Sequence, residues 1–322
     1  MMEDKEQKNS LVANLQHDWP LSFHTLLIKN QPFRYLREKK VVEASDAASD
    51  YMTPDLSASA GEEKSFYREV SWQRLESFRS VNLKTWAKME LERFLESSGT
   101  KNPAYWLAVA KRFQAVEDWP DLVHWAERYF DLDQKTMDLK NPLIRFHYPK
   151  AHLNEVLRAS KEFNVSPFLI WGVMREESRF EADVISHAGA VGLLQLLPSL
   201  AMRIGRNLGD SPGQRALLTD PRRNIRYGAY HLSELNQRVS TLDVPENLKP
   251  ILQIASYNAG IEAVLRWIDE KDTKRIDGFV ESIPYAETRL YVKHVLQSAY
   301  IYYRLYGDVT KEVARTKNES EL

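Results

Sequence analysis

The stretch WGVMREESRFEADVISHAGAVGLLQLLP, residues 171–198, carries the pattern on which the fold turns. Its first residues continue an apolar run, Phe168 to Met174, that lacks the alternation of a half-buried strand. A helix that is apolar on all sides is a buried one. The run ends in a polar tip, Arg175-Glu176-Glu177-Ser178-Arg179, and a loop punctuated by Gly189 and Gly192 follows. A carboxyl at the end of an apolar helix is partly desolvated, which favours its protonated form and raises its pKa. A carboxyl titrating near ~6 is suited to protonating a glycosidic oxygen. Successive helix positions point about 100° apart, so Glu176 and Glu177 do not aim into one cleft. Periodicity leaves the choice open: Glu177 continues the face of Ile170 and Met174, and Glu176 that of Leu169 and Val173.

Outward from this stretch the pattern stays helical. Upstream, NPLIRFHYP, residues 141–149, reads as an extended connector, because a residue before proline is pushed out of the helical region. Helices are expected over 152–163 and 167–177, then over 221–235, 248–257, 261–269 and 288–306. Asn258-Ala259-Gly260 separates two of them, and its glycine suits a helix C-terminus. Residues 65–140 read as a helical module, with Phe66, Val70, Leu75, Trp86, Met89, Leu91, Phe94, Leu95, Tyr105, Trp106, Val109, Phe113, Leu122, Val123, Trp125 and Tyr129 at helical spacings. Its aromatics are expected in the module's own core. Residues 44–64, rich in Ser, Ala, Asp and Gly, read as a linker, with an N-terminal helical segment over 1–43 before it. The C-terminal domain runs over 141–310 and a polar tail over 311–322. The class is all-α.

The 322 residues carry 44 Lys plus Arg against 45 Asp plus Glu, and a balance that near neutrality offers no footprint for nucleic acid. With no cysteine, disulfides, thiolate metal sites and a Cys nucleophile are excluded. The eight histidines show no metal-ligand spacing, and no phosphate loop, dinucleotide fingerprint or Ser-His-Asp arrangement is present. No metal or cofactor is therefore expected. No apolar run approaches the ~20 residues needed to span a bilayer. The N-terminus, MMEDKEQKNS, lacks the apolar region of a secretory signal.

Glu177-Ser178-Arg179-Phe180 resembles the E-S-x-F/Y signature of the soluble lytic transglycosylase family. Residues 186–195, SHAGAVGLLQ, resemble that family's S-x-x-G-A-x-G-L-M-Q. Asp220-Pro221 with Asn224-Ile225, Gly228 and Tyr230 is similar to its third motif, and Ser256-Tyr257-Asn258-Ala259-Gly260 to its A-Y-N-A-G turn. Phe279 to Tyr285, with Glu287-Thr288-Arg289 and Tyr291-Val292, is similar to the closing block. Any one motif occurs by chance; their order and spacing over residues 150–306 make the resemblance specific. Leu194 and Leu197 stand where the family often has Met, and Ser256 where it often has Ala. Segments around Trp19-Pro20-Leu21-Ser22-Phe23 and the helical module look like those preceding the catalytic domain of larger members, without the full N-terminal superhelical ring of those members.

The resemblance implies a lysozyme-like helical catalytic domain behind a small helical module. It selects Glu177 over Glu176 as the sole catalytic residue, general acid and then base. It implies substrate contacts for Ser186, Gln195, Tyr257 and Glu281, the last competing with a surface ion pair to Arg289. The implied reaction is cleavage of the MurNAc–GlcNAc bond of peptidoglycan with 1,6-anhydromuramoyl ends, which places the protein in the periplasm or cell envelope. With a polar N-terminus, that placement leads to the expectation that the true start lies upstream or that export is unconventional. A goose-type lysozyme-like hydrolase and a non-catalytic glycan-binding scaffold are the alternatives.

Overall fold

The computed structural model describes residues 22–28, 33–39, 41, 70–81, 83–97, 103–129, 139, 141, 143–210 and 215–307. The linker at 44–64, the tail, Trp19, Leu21 and Phe66 lie outside them, as do the side chains of Leu95, Tyr105, Trp106 and Tyr129. Fourteen helices make up the described residues: α1 Phe23–Ile28, α2 Val70–Ser80, α3 Lys84–Ser97, α4 Pro103–Ala115, α5 Trp119–Tyr129, α6 Ile144–His147, α7 Leu153–Phe163, α8 Pro167–Ser178, α9 Pro198–Asn207, α10 Pro221–Ser240, α11 Lys249–Ala259, α12 Ile261–Glu270, α13 Ile276–Ser282 and α14 Ala286–Tyr306. No strand appears among them; the extended pairing is limited to isolated bridges, two of which, Ile185 with Val191 and Val191 with Leu196, lie in the glycine-punctuated loop. The chain divides into two compact units, Met1–Ala44 with Asp131–Leu322, and Ser45–Phe130.

The smaller unit holds α2 to α5. Trp72, Phe94, Phe113 and Trp125 are buried in it, with Trp72 against Phe94 at 5.5 Å between ring centroids. Trp86 departs from the expectation of a wholly internal aromatic set: it is 56% exposed. Trp86 and Met89, three residues apart, share the outer face of α3, whereas Leu91 and Phe94 take the inner one.

In the larger unit α8 is the axis. Pro167 opens it at a position whose missing N–H costs nothing, and every residue from Pro167 to Arg175 is buried. Its most extensive partner is α14. Gly172 permits that approach, since a β-carbon there would lie 3.1 Å from Ala299 N and 3.2 Å from Val295 O. Tyr302 stacks on Trp171 with centroids 5.4 Å apart and donates to Pro149 O. The N-terminal segment belongs to this same unit. Tyr35 is buried, donates to Leu296 O and accepts through its carbonyl from Ser166 Oγ; Phe23 and Leu26 of α1 are buried too.

Three features differ from the sequence reading. The 141–149 connector is not extended throughout but contains one helical turn, α6. The prolines govern only Asn141 and Tyr148, and Asn141 Oδ1 accepts from Leu143 N to start the turn between them. Helices α9 and α13 form where none was expected, and α10 runs five residues past Leu235 to Ser240. Both α9 and α13 are short, and each buries only a few residues: Ala201, Ile204 and Gly205 in α9, Phe279 and Val280 in α13.

Candidate active site

Glu177 stands at the last turn of α8, one residue before Ser178. The helix ends there because Arg179 and Phe180 both adopt left-handed backbone, φ 49° and 68°, a conformation that non-glycine residues take only when the surroundings hold them. Phe180 is buried, and its N–H donates to Ser178 Oγ. Ser178 Oγ in turn donates to Leu193 O at 2.8 Å, tying the helix end to the following loop.

That loop is braced from within. Ser186 accepts from Gly189 N through its carbonyl and from Ala190 N through Oγ, while its own N–H donates to Ala190 O. Gln195 has φ 43°, and its Nε2 donates to Gly192 O at 2.8 Å and Val184 O at 3.3 Å. A second brace comes from α10. Asp220 caps that helix by accepting from Arg223 N, and one turn on sits Asn224, fully buried. Asn224 Nδ2 donates to Val191 O and Leu218 O, each at 2.9 Å, and its Oδ1 accepts from Leu194 N at 2.8 Å. Gly192 is required beside it: with φ +82°, a β-carbon would meet Asn224 Nδ2 and Leu218 O at 2.4 Å. From α11, Tyr257 donates its hydroxyl to Leu194 O at 2.7 Å, closing the loop from the other side.

The two glutamates part company. Tyr291 of α14 donates to Glu177 Oε1 at 2.6 Å. Ser298, two turns further along the same helix, donates to Glu176 Oε1 at 2.7 Å. Burial pushes the Glu177 carboxyl up to about 7; the Tyr291 hydrogen bond opposes this, and the charges of Glu287 and Glu176 add to it. The hydroxyls of Tyr257 and Tyr291 are likewise pushed well up, by burial first and then by the charge of Glu177. Glu177, Tyr257 and Tyr291 therefore share one partly buried locus.

Of the residues named from sequence, Glu177 and Tyr257 meet at this locus. Ser186 and Gln195 are engaged in the backbone of the loop that walls it. Glu281, half exposed on α13, accepts from Lys293 Nζ at 2.6 Å and lies 3.1 Å from His24 Nε2. Its lowered pKa comes first from the Lys293 hydrogen bond. Arg289, the partner expected for it, donates to Ile283 O instead. Within the closing block, the carboxylate whose charge reaches Glu177 is Glu287, in the first turn of α14, four residues and about one turn from Tyr291. Thr288 Oγ1 donates to Asn258 Oδ1 at 2.6 Å, and Asn258 Nδ2 donates to Glu287 Oε1 at 3.4 Å. Glu287, Tyr291 and Asn224 received no role from the sequence. The signal available for them was the motif segments themselves, the third for Asn224 and the closing block for Glu287 and Tyr291.

The Transglycosylase SLT domain family matches residues 132–280. The soluble lytic murein transglycosylase of Escherichia coli K12 is 35% identical over 169 residues, 50% of this chain and 24% of that protein. The membrane-bound lytic murein transglycosylase C of Actinobacillus pleuropneumoniae is 32% identical over 143 residues, 44% of this chain and 39% of that protein. These matches thus span about a quarter to two-fifths of the relatives' length. Among solved structures, an inactive Glu-to-Gln mutant of the lytic transglycosylase Slt from Pseudomonas aeruginosa superposes with a TM-score of 0.65 at 22% identity, covering 91% of this chain and 43% of that one. The 70-kDa soluble lytic transglycosylase of Escherichia coli does so with a TM-score of 0.63 at 21% identity, covering 93% and 48%. The fold is accordingly the all-α, lysozyme-like one of those enzymes.

Proposed function

We infer that this chain, whose residues 132–280 match the transglycosylase SLT domain, is a peptidoglycan lytic transglycosylase with Glu177 as its acid and base. The observation that carries the reading is the state of Glu177: a partly buried carboxyl at a helix end, titrating at about 7 and held by Tyr291. A carboxyl so placed is about half protonated at neutral pH, and its protonated form donates the proton to the oxygen of the MurNAc–GlcNAc bond. The substrate's acetamido group assists departure of the leaving sugar. Glu177, now a carboxylate, takes the proton of the muramoyl C6 hydroxyl as that oxygen attacks C1. The product ends in a 1,6-anhydromuramoyl residue and no water is consumed. Tyr257 supports the cleft wall by carrying Leu194 O, and Ser186 and Gln195 hold the loop from which that wall is made. A peptidoglycan substrate puts the site of action in the periplasm or cell envelope. No helix of the described residues is long and apolar enough to cross a membrane.

A second reading, hydrolysis by a lysozyme-like route, is favoured by one observation: Glu287 brings another carboxylate within electrostatic reach of Glu177. Most glycosidases work with such a pair. Mass analysis of the fragments released from purified peptidoglycan separates the two. Anhydromuramoyl ends, lighter by one water than reducing ends, are the expected product; reducing muramic acid ends alone would overturn the transglycosylase reading.

A further inference from the structure

Asn224, Gly228 and His231 fall at i, i+4 and i+7 on α10 and so share one stripe of that helix. The first two are occupied with the catalytic loop. Asn224 brackets its backbone, and Gly228 lies so close under Leu194 that a β-carbon there would come within 2.7 Å of the Leu194 side chain. His231 is the third. Its ring meets that of Tyr257 with centroids 5.3 Å apart and planes inclined at 47°. One turn before Tyr257 on α11, Gln253 Nε2 donates to Leu232 O at 2.8 Å and fixes the two helices against each other at that level. Because Tyr257 carries Leu194 O, His231 stands where α10, α11 and the catalytic loop meet.

The two ring nitrogens of His231 have different surroundings. Nδ1 is buried without a hydrogen-bond partner, since Glu234 Oε2, at 3.7 Å, is too far for one. Arg203 of α9 holds the Glu234 carboxylate with two bonds, at 2.7 and 2.8 Å. A carboxylate only accepts, and its charge keeps the ring proton on the nitrogen that faces it. Nε2 is then the bare acceptor. It makes no hydrogen bond among the described residues and, unlike Nδ1, is not enclosed; with the side chain 16% exposed, it is the polar atom that opens outward. Burial, helped by Arg203 and opposed by Glu234, holds the ring pKa below its ordinary 6.5. At neutral pH the imidazole is therefore uncharged and its lone pair is available.

We propose that His231 is a substrate-binding residue whose Nε2 accepts a hydrogen bond from an N–H or O–H of the glycan, beside the cleft wall that Tyr257 and Leu194 form. This rests on the glycan-cleaving reading of Glu177 and adds to it a residue that received no role from the sequence. Tyr257, Tyr291 and Asn224 are each committed to protein partners. An uncommitted acceptor among them is the group left to read the ligand, and such an acceptor selects for sugars that bring a donor to it.

The test is binding of the N-acetylglucosamine tetramer to the full chain carrying Glu177→Gln, a background in which nothing is cleaved. Three substitutions are compared there. His231→Leu fills the space without an acceptor, His231→Asn places a polar atom near the position of Nδ1 only, and His231→Gln reaches that of Nε2. Affinity by calorimetry is expected to fall about three- to tenfold for His231→Leu and His231→Asn, the worth of one uncharged hydrogen bond, and to stay within about twofold for His231→Gln. With the ring intact, the NMR resonance of Nε2 should move upfield as tetramer is added. Unchanged affinity in folded His231→Leu, rescue by His231→Asn rather than His231→Gln, or an Nε2 resonance that stays in place at saturation would each overturn the proposal. The resonance needs no substitution at His231, so it decides the matter where a variant fails to fold. If the tetramer does not bind with His231 intact, the glycan-cleaving reading falls and this one with it. Binding that ignores His231 overturns this proposal alone.

Discussion

The Tyr291 hydroxyl donates to Glu177 Oε1 at 2.6 Å and so joins the end of α8 to the second turn of α14. Two turns on, Ser298 makes the equivalent bond to Glu176. One helix thus receives both carboxylates but sorts them: Glu177 goes to the site shared with Tyr257, Glu176 to a different turn of the same contact.

This sorting sets the first expectation. Glu177→Gln abolishes glycan cleavage with the fold retained, because the amide is nearly isosteric but neither donates the needed proton nor accepts one. General acid–base assistance alone is typically worth ~10²–10⁴-fold, and here one residue serves both half-steps. Glu176→Gln keeps the hydrogen bond from Ser298 and most of the activity. Turnover of purified peptidoglycan by the two variants is the check; equal losses would reverse the assignment.

Tyr291 and Glu287 act on Glu177 in opposite senses. The hydroxyl stabilises the carboxylate and holds the pKa down, whereas the Glu287 charge pushes it up. The acid step needs the protonated form, so activity falls as pH rises through this pKa. Tyr291→Phe should therefore move the alkaline limb of kcat/KM to higher pH, and Glu287→Gln to lower pH, each by about one unit or less, or up to ~1.4 kcal/mol. The pH profiles of both variants decide it. A shift of the same sign in both would contradict the arrangement.

Stability carries the same signature. Folding raises the Glu177 pKa from 4.5 to about 7. A raised pKa means the folded state binds the proton more tightly, so this contribution is complete below pH 4.5 and is lost as pH rises through 7. At pH 8 the ionised, partly buried carboxylate costs on the order of 1–3 kcal/mol relative to acid conditions. Glu177→Gln removes that dependence. Thermal unfolding of wild type and variant at pH 5 and pH 8 should show the variant gaining more at pH 8.

Two glycines with the same φ separate strain from collision. Gly189 and Gly192 both have φ +82°, but a β-carbon at Gly189 meets nothing within 4 Å, while at Gly192 it strikes Asn224 Nδ2 and Leu218 O at 2.4 Å. Gly189→Ala carries only the left-handed penalty, about 1–2 kcal/mol. Gly192→Ala adds a collision with backbone and with the Asn224 bracket, so its unfolding midpoint in urea should fall clearly further, and its activity with it.

Sequence alone determined the helical class, the buried helix over 167–177, and the ordered motifs that marked Glu177 and Tyr257. These are local quantities: periodicity, a glycine or proline at a fixed offset, a short string of residues. What they could not carry was contact between residues far apart in the chain. Glu281 and Glu287 both belong to the closing block, and only the packing of α13 and α14 turned one toward Lys293 and His24 and put the other within reach of Glu177. Asn224 stands in the third motif without a stated role, and only with α10 laid against the 186–196 loop does it meet Val191 O and Leu194 N there, and Leu218 O beside them. Ser186 and Gln195 read as substrate contacts, and only the closed loop shows that their side chains also brace its backbone. The contacts that part Glu176 from Glu177 have the same origin. Periodicity places them about 100° apart on α8 without preference, and the residues that separate them, Tyr291 and Ser298, lie 114 and 122 positions further along the chain.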